Sequence, residues 1–121
     1  AGDARVVEWD PRDPDRACKA TPVRQVTNFY ACYGDEVLPN QKNDELGHGK
    51  ERAVAIADVL DAHAGAQDEA VAWKALRAAA QEPNPEDITS NTQWSVIFDN
   101  TEPAAAITLR RHWGDVDAFA L

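Results

Sequence analysis

Three histidines, two serines and two cysteines are the side chains that could hold a metal or attack a carbonyl, and their spacing restricts both. His48, His63 and His112 follow neither an HExxH nor a Cys/His cluster spacing. His63 falls near a predicted helix end, where an imidazole meets the carbonyl end of the helix dipole. The stretch 35–45 is rich in oxygen ligands but lacks the Asp-x-Asp-x-Asp-Gly order of a calcium loop, so no metal is expected. Ser90 and Ser95 lie outside any Gly-x-Ser-x-Gly elbow, and Ser95 reads as a strand residue. Gly47-His48-Gly49-Lys50 has too few glycines, and no preceding strand, for a phosphate loop; it reads as a glycine-flexed helix entry. Cys32 has no neighbour in sequence to generate a thiolate, so it reads as a buried or disulfide-bonded cysteine, and its pairing with Cys18 stays open. No cofactor is expected.

The elements that must position any site follow from patterning. Residues 4–9 read as a strand centred on Val6 and Val7, ended by the turn chemistry of Asp10-Pro11-Arg12-Asp13-Pro14-Asp15. A second extended piece over 16–27 rests on β-branched content and makes a hairpin with the first. From 28 to 50 neither period survives: Phe29, Tyr30, Cys32 and Tyr33 cluster at the start, and a polar stretch with glycines and Pro39 follows. So long a loop is commonly functional. Residues 50–63 put Ala53, Val54, Ile56, Ala57, Val59 and Leu60 along one helical face, with Gly65 as a stop. A second helix spans 68–81, with Asp68 and Glu69 at its positive end and Pro83 and Pro85 beyond it. Strands over 93–99 and 105–111 form a hairpin in which Trp94, Val96 and Phe98 alternate with Ser95 and Ile97. The apolar segment 116–121 is expected to pack.

With 121 residues, 44% of them hydrophobic and 27% charged, the chain is one globular domain or a large part of one. No apolar run approaches the ~18 residues of a membrane span. Twelve basic against 21 acidic residues give a net charge of −9, which disfavours nucleic acid and anionic membranes as partners. Ala1 opens a chain without methionine, so a processed product or a fragment is expected, and the compartment stays open between cytoplasmic and secreted. Strands, helices and then strands again define an α+β fold, with two helices over an antiparallel sheet.

One ordered set of motifs is more specific than any single residue. A Val-Val-Glu strand leads to Val26-Thr27-Asn28-Phe29-Tyr30, then a polar loop, Gly49-Lys50-Glu51-Arg52 opening a helix, and Asn91-Thr92-Gln93-Trp94-Ser95-Val96-Ile97-Phe98-Asp99 as a late strand. This order resembles the C-terminal half of cysteine Ntn hydrolases of the choloylglycine hydrolase, penicillin V acylase and acyl-coenzyme A:6-aminopenicillanate acyltransferase type. The resemblance covers most of the chain and implies half of an αββα sandwich. It implies amide-bond hydrolysis or acyl transfer on a small N-acyl substrate. Asn28 then matches the asparagine whose amide helps form the oxyanion hole, and Arg52 the arginine near the nucleophile. Gly49 stands where the family often has serine. The family's nucleophile is an N-terminal cysteine with its own α-amine as base, and this chain begins with Ala1. A second polypeptide carrying that half is therefore the implied partner.

Residues alone support two other readings. Asn28 is also a residue that turns a corner after a strand, and Arg52 a first-turn arginine that the helix dipole disfavours. The aromatic loop 29–33 would suit a non-catalytic acidic module that binds a protein partner. If half of a sandwich is present, the sheet face opposite the helices is expected to lie bare, leaving the chain marginal, aggregation-prone or dimerised through it.

Overall fold

The computed structural model describes residues 4–10, 12–34, 49–66, 68–87 and 91–121. The fold is α+β. In order come β1 (Arg5–Trp9), β2 (Cys18–Pro22), α1 (Gly49–Ala62), α2 (Glu69–Ala78), β3 (Trp94–Asp99), β4 (Ala104–Leu109) and β5 (Asp117–Ala120). The strands divide into two antiparallel sheets, β1-β2 and β3-β4-β5. The chain itself divides into two compact units, Ala1–Ala57 and Asp58–Leu121, with the division inside α1. The polar stretch 35–48, including His48, lies outside the described residues, as does Ser90.

In the first unit, β1 pairs with β2 from Arg5↔Pro22 to Trp9↔Cys18. The connection is tied by aspartates, as its composition predicts: Asp13 accepts from the backbone N–H of Asp15 at 2.9 Å and of Ala17 at 3.2 Å. The second strand is shorter than the 16–27 expected. Arg16 sits in the left-handed region at φ 48°, so it belongs to the turn, and Pro22 has no N–H to extend the ladder. Beyond it, one further bond runs from the Val23 N–H to the Ala4 carbonyl.

In the second unit, α2 starts where its acidic residues predict. Asp68 is the N-cap, and its carboxylate accepts from the Val71 N–H at 3.0 Å. Val71 and Ala75, four apart, form the buried stripe of this helix. Helix α2 packs on β3. Its first turn (Asp68, Glu69, Ala72) shares a cleft of about 480 Å³ with Ile97, Ala106 and Ala118 on the sheet. Strand β4 stops at Leu109, short of the expected Arg111, because Arg110 and Arg111 both take positive φ (47° and 64°) and turn the chain. Arg111 is anchored there by bonds to the carbonyl oxygens of Gln81 (3.3 Å) and Thr92 (3.0 Å). Thr108, 1% exposed, turns its hydroxyl to the carbonyls of His112 and Asp115 and so secures the same turn from inside.

The final segment is tied by its backbone rather than its side chains. Strand β5 pairs with β4 and the Leu121 N–H reaches the Pro103 carbonyl, yet every side chain of β5 is exposed. Among the described residues the buried apolar set is Val71, Ala75 and Ala105, all in the second unit.

Candidate functional site

The site is assembled from the floor upward by β1. Glu8 lies between Val7 and Trp9, and its carboxylate reaches the segment that follows β2. One oxygen accepts from the Ala31 N–H and the other from the Cys32 N–H, both at 2.7 Å. Two charge-assisted bonds from one side chain fix the backbone of the aromatic loop. The Phe29 ring lies against Gly34, so close that a side chain there would collide with it. Lys50 Nζ stands 5.7 Å from the centre of that ring, and Lys19 Nζ 5.8 Å from the Tyr33 ring. The aromatic cluster is therefore half-buried in its own cage.

The other wall is the start of α1. Thr27 donates its hydroxyl to the Gly49 carbonyl at 2.7 Å, fixing the residue before Asn28 to the helix entry. Gly49 is buried because the Asn28 backbone lies on it: a Cβ there would stand 2.5 Å from the Asn28 carbonyl oxygen and 2.8 Å from its Oδ1. Glycine at this position is what lets the Asn28 backbone, six residues beyond the end of β2, touch the helix. Three residues on, Arg52 Nη2 donates to Asn28 Oδ1. The two sequence-predicted site residues, 24 positions apart, thus meet directly. An amide whose oxygen is occupied by a guanidinium has its orientation fixed, with the NH₂ group left as the donor. Beside Arg52, Glu51 has a buried Oε1 without a hydrogen-bond partner.

Asn28 opens on a cleft of about 390 Å³ lined by Val7, Glu8, Trp9, Thr27, Phe29 and Tyr30. Its walls are apolar and aromatic, with one amide and one carboxylate set into them, which is the composition of a small-molecule cleft. Val7 is exposed and Trp9 is 46% exposed, so the apolar wall is open at the surface.

The remaining candidates take structural places. Cys18 and Cys32 are both free, Cys18 exposed and Cys32 half-buried with its Sγ 2.6 Å from the Thr21 hydroxyl. His63 Nδ1 bonds the Val59 carbonyl at 2.8 Å, the helix-end contact expected of it, while Lys74 Nζ donates to Nε2 at 3.1 Å. Ser95 is buried in the ladder opposite Thr108. Among the described residues, no group of three or more His, Cys, Asp or Glu side chains could hold a metal ion, and no helix is long and apolar enough to cross a membrane. Sequence reasoning quoted Glu8 only as part of a motif and missed that it organises the loop; alternation gives the face a side chain points to, not what it meets there. Comparison with protein-family models, with curated proteins and with solved structures finds no match for this chain.

Proposed function

We propose that this chain supplies the oxyanion-binding side of a cysteine Ntn amide-bond hydrolase or acyltransferase acting on an N-acyl substrate, with the nucleophile carried by a second polypeptide. The observation that carries this reading is the hydrogen bond from Arg52 to Asn28 Oδ1 at the edge of an apolar cleft. Attack of a thiolate on an amide carbonyl drives charge onto the carbonyl oxygen, and a neutral donor already aimed there stabilises it without reorganising. Arg52 is the positioning residue: it holds the Asn28 oxygen and so leaves the NH₂ as the group that donates, while adding positive charge close by. The apolar wall of Val7, Trp9, Phe29 and Tyr30 would receive the acyl group. Water or an amine reaching the acyl-enzyme decides between hydrolysis and transfer.

The test has two stages. Intact mass and N-terminal sequencing of native material should reveal a co-purifying polypeptide that begins with cysteine. In that complex Asn28→Ala should lower kcat by ~10²–10³, the usual cost of removing one oxyanion donor. Turnover within a few-fold of wild type would sink the assignment. The half-buried ring cluster and the exposed Trp9 favour a second reading, a module that binds a protein partner through 29–33. A lone chain, folded and binding a peptide without any second polypeptide, would select it.

A further inference from the structure

The hairpin of β1 and β2 has two unlike faces. Arg5, Val7 and Trp9 alternate outward and are exposed, while Val6 and Glu8 between them are half-buried. Directly across the ladder from Val6 and Glu8 stand Thr21 and Lys19, and residues so paired share a face. The aromatic loop lies on that face. The Thr21 hydroxyl meets Cys32 Sγ at 2.6 Å, and Lys19 Nζ stands 5.8 Å from the centre of the Tyr33 ring. Glu8 takes the N–H groups of Ala31 and Cys32, both at 2.7 Å. Three neighbouring side chains therefore strap the loop to the hairpin, and only one of them does so with a carboxylate.

The segment 27–32 carries Asn28, Phe29 and Tyr30 of the cleft, and its two ends are anchored by different chemistry. At the front, Thr27 donates to the Gly49 carbonyl and Arg52 donates to Asn28 Oδ1. Hydroxyl, carbonyl, amide and guanidinium keep their charge state in acid. At the rear, both bonds go to Glu8. An ionised carboxylate is acceptor-only and takes two N–H groups at once, whereas a neutral carboxyl turns one oxygen into an O–H donor. That donor would face an N–H, which is a donor itself. We infer that Glu8 is a pH-sensitive clasp on the aromatic wall of the Asn28 cleft. Ionised, it fixes Phe29 and Tyr30 beside Asn28; on taking up a proton it lets that wall move while Arg52 still holds Asn28.

Among the described residues, the other groups around Glu8 do not duplicate this response. Lys19 faces it from β2 and keeps its ammonium in acid. Asp10, two residues along, is tied to Arg12 and keeps its charge to about pH 2. The loop brings Tyr30, Cys32 and Tyr33, whose phenol and thiol groups acid leaves unchanged. The contacts of Thr21 and Lys19 persist, so the loop is loosened rather than released. The consequence for catalysis rests on the amide reading proposed above; the clasp itself does not. On that reading acid weakens the hold on the acyl group and spares the oxyanion donor, so KM rises with little change in kcat.

Nuclear magnetic resonance of the isotope-labelled chain tests the clasp. On acidification the amide protons of Ala31 and Cys32 should move upfield together, with the midpoint of the Glu8 carboxyl carbon, while the Asn28 side-chain amide stays in place. Glu8→Gln, which matches the neutral carboxyl in size, should put both amides at their acid positions at neutral pH and abolish the titration. This variant separates release of the loop from acid unfolding, and far-ultraviolet circular dichroism checks its fold. Amides that ignore pH and Glu8→Gln, that follow another midpoint, or that carry the Asn28 amide with them would overturn the inference. Benzamide, an uncharged aromatic amide, then probes the cleft through Trp9 emission in a Trp94→Phe chain. Its binding should weaken several-fold in acid, and equally at neutral pH once Glu8→Gln is added. Equal binding with and without Glu8→Gln would refute the hold of Glu8 on the cleft. Absence of binding in both chains counts against the amide reading, and the amide signals alone then decide the clasp.

Discussion

Asp10 shows how a single half-buried side chain can be governed by its neighbour. Arg12 donates Nε to one carboxylate oxygen at 2.8 Å and Nη2 to the other at 2.6 Å, and its backbone N–H adds a third bond at 2.9 Å. These bonds, the side-chain ones foremost, lower the Asp10 pKa from 3.8 to about 2. A carboxyl depressed by folding favours the folded hairpin fully above its ordinary pKa, and that contribution is lost as the pH falls through about 2. Carboxyl-carbon NMR should therefore find Asp10 ionised well below pH 3.8, and Arg12→Ala should return its midpoint toward that value. An unchanged midpoint in the variant would show that the guanidinium is not the cause. Asp99 works by the same logic in the β3–β4 turn, where the Thr101 hydroxyl at 2.6 Å and then its N–H hold the pKa down.

At the scale of elements, the caps rather than the interiors decide where α2 lies. Asp68 satisfies a donor of the first turn, and Ala79 closes the helix with its N–H on the Ala75 carbonyl. Asp68→Ala should lower unfolding stability by about 1 kcal/mol, the usual cost of an N-cap. Urea denaturation reads it, and Asp68→Asn, which keeps the acceptor, should recover most of the loss. Both helices were legible in the sequence to within a few residues, because 3.6-residue periodicity and end chemistry agree. The ends of β2 and β4 were not. Arg16, Arg110 and Arg111 adopt left-handed backbone, and nothing about arginine as a residue type announces that. Asn28 and Arg52 were legible as a pair only through the order of motifs. The contact of Glu8 with residues 31 and 32 joins segments more than twenty positions apart, which periodicity does not encode.

For the whole molecule, the few buried apolar groups among the described residues and a large net charge act together. Alternation along β3 identified Trp94, Val96 and Phe98 as one face, but the exposure of Trp94 and Phe98 is read only from the structure, since periodicity reports sidedness and not what lies above it. Among the described residues few apolar groups are buried, which leaves little there to offset the net repulsion of 21 acidic against 12 basic residues. The unfolding midpoint should therefore rise with salt, as the screening length shrinks from ~30 Å at 0.01 M to ~10 Å at 0.1 M. A midpoint that falls or stays flat over that range would show that attractive ion pairs outweigh the repulsion.

The four tryptophans are distributed so that the molecule reports on itself optically. Trp9 stands in the wall of the Asn28 cleft, Trp94 on the open sheet face, and Trp73 and Trp113 meet edge-to-face with ring centres 6.4 Å apart. Collisional quenching by acrylamide should reach the first two and spare the pair, whose indoles, inclined at 70°, should give a coupled near-ultraviolet signal. Substituting Trp94 with phenylalanine then leaves Trp9 as the single accessible emitter, blue-shifting on ligand entry into the cleft.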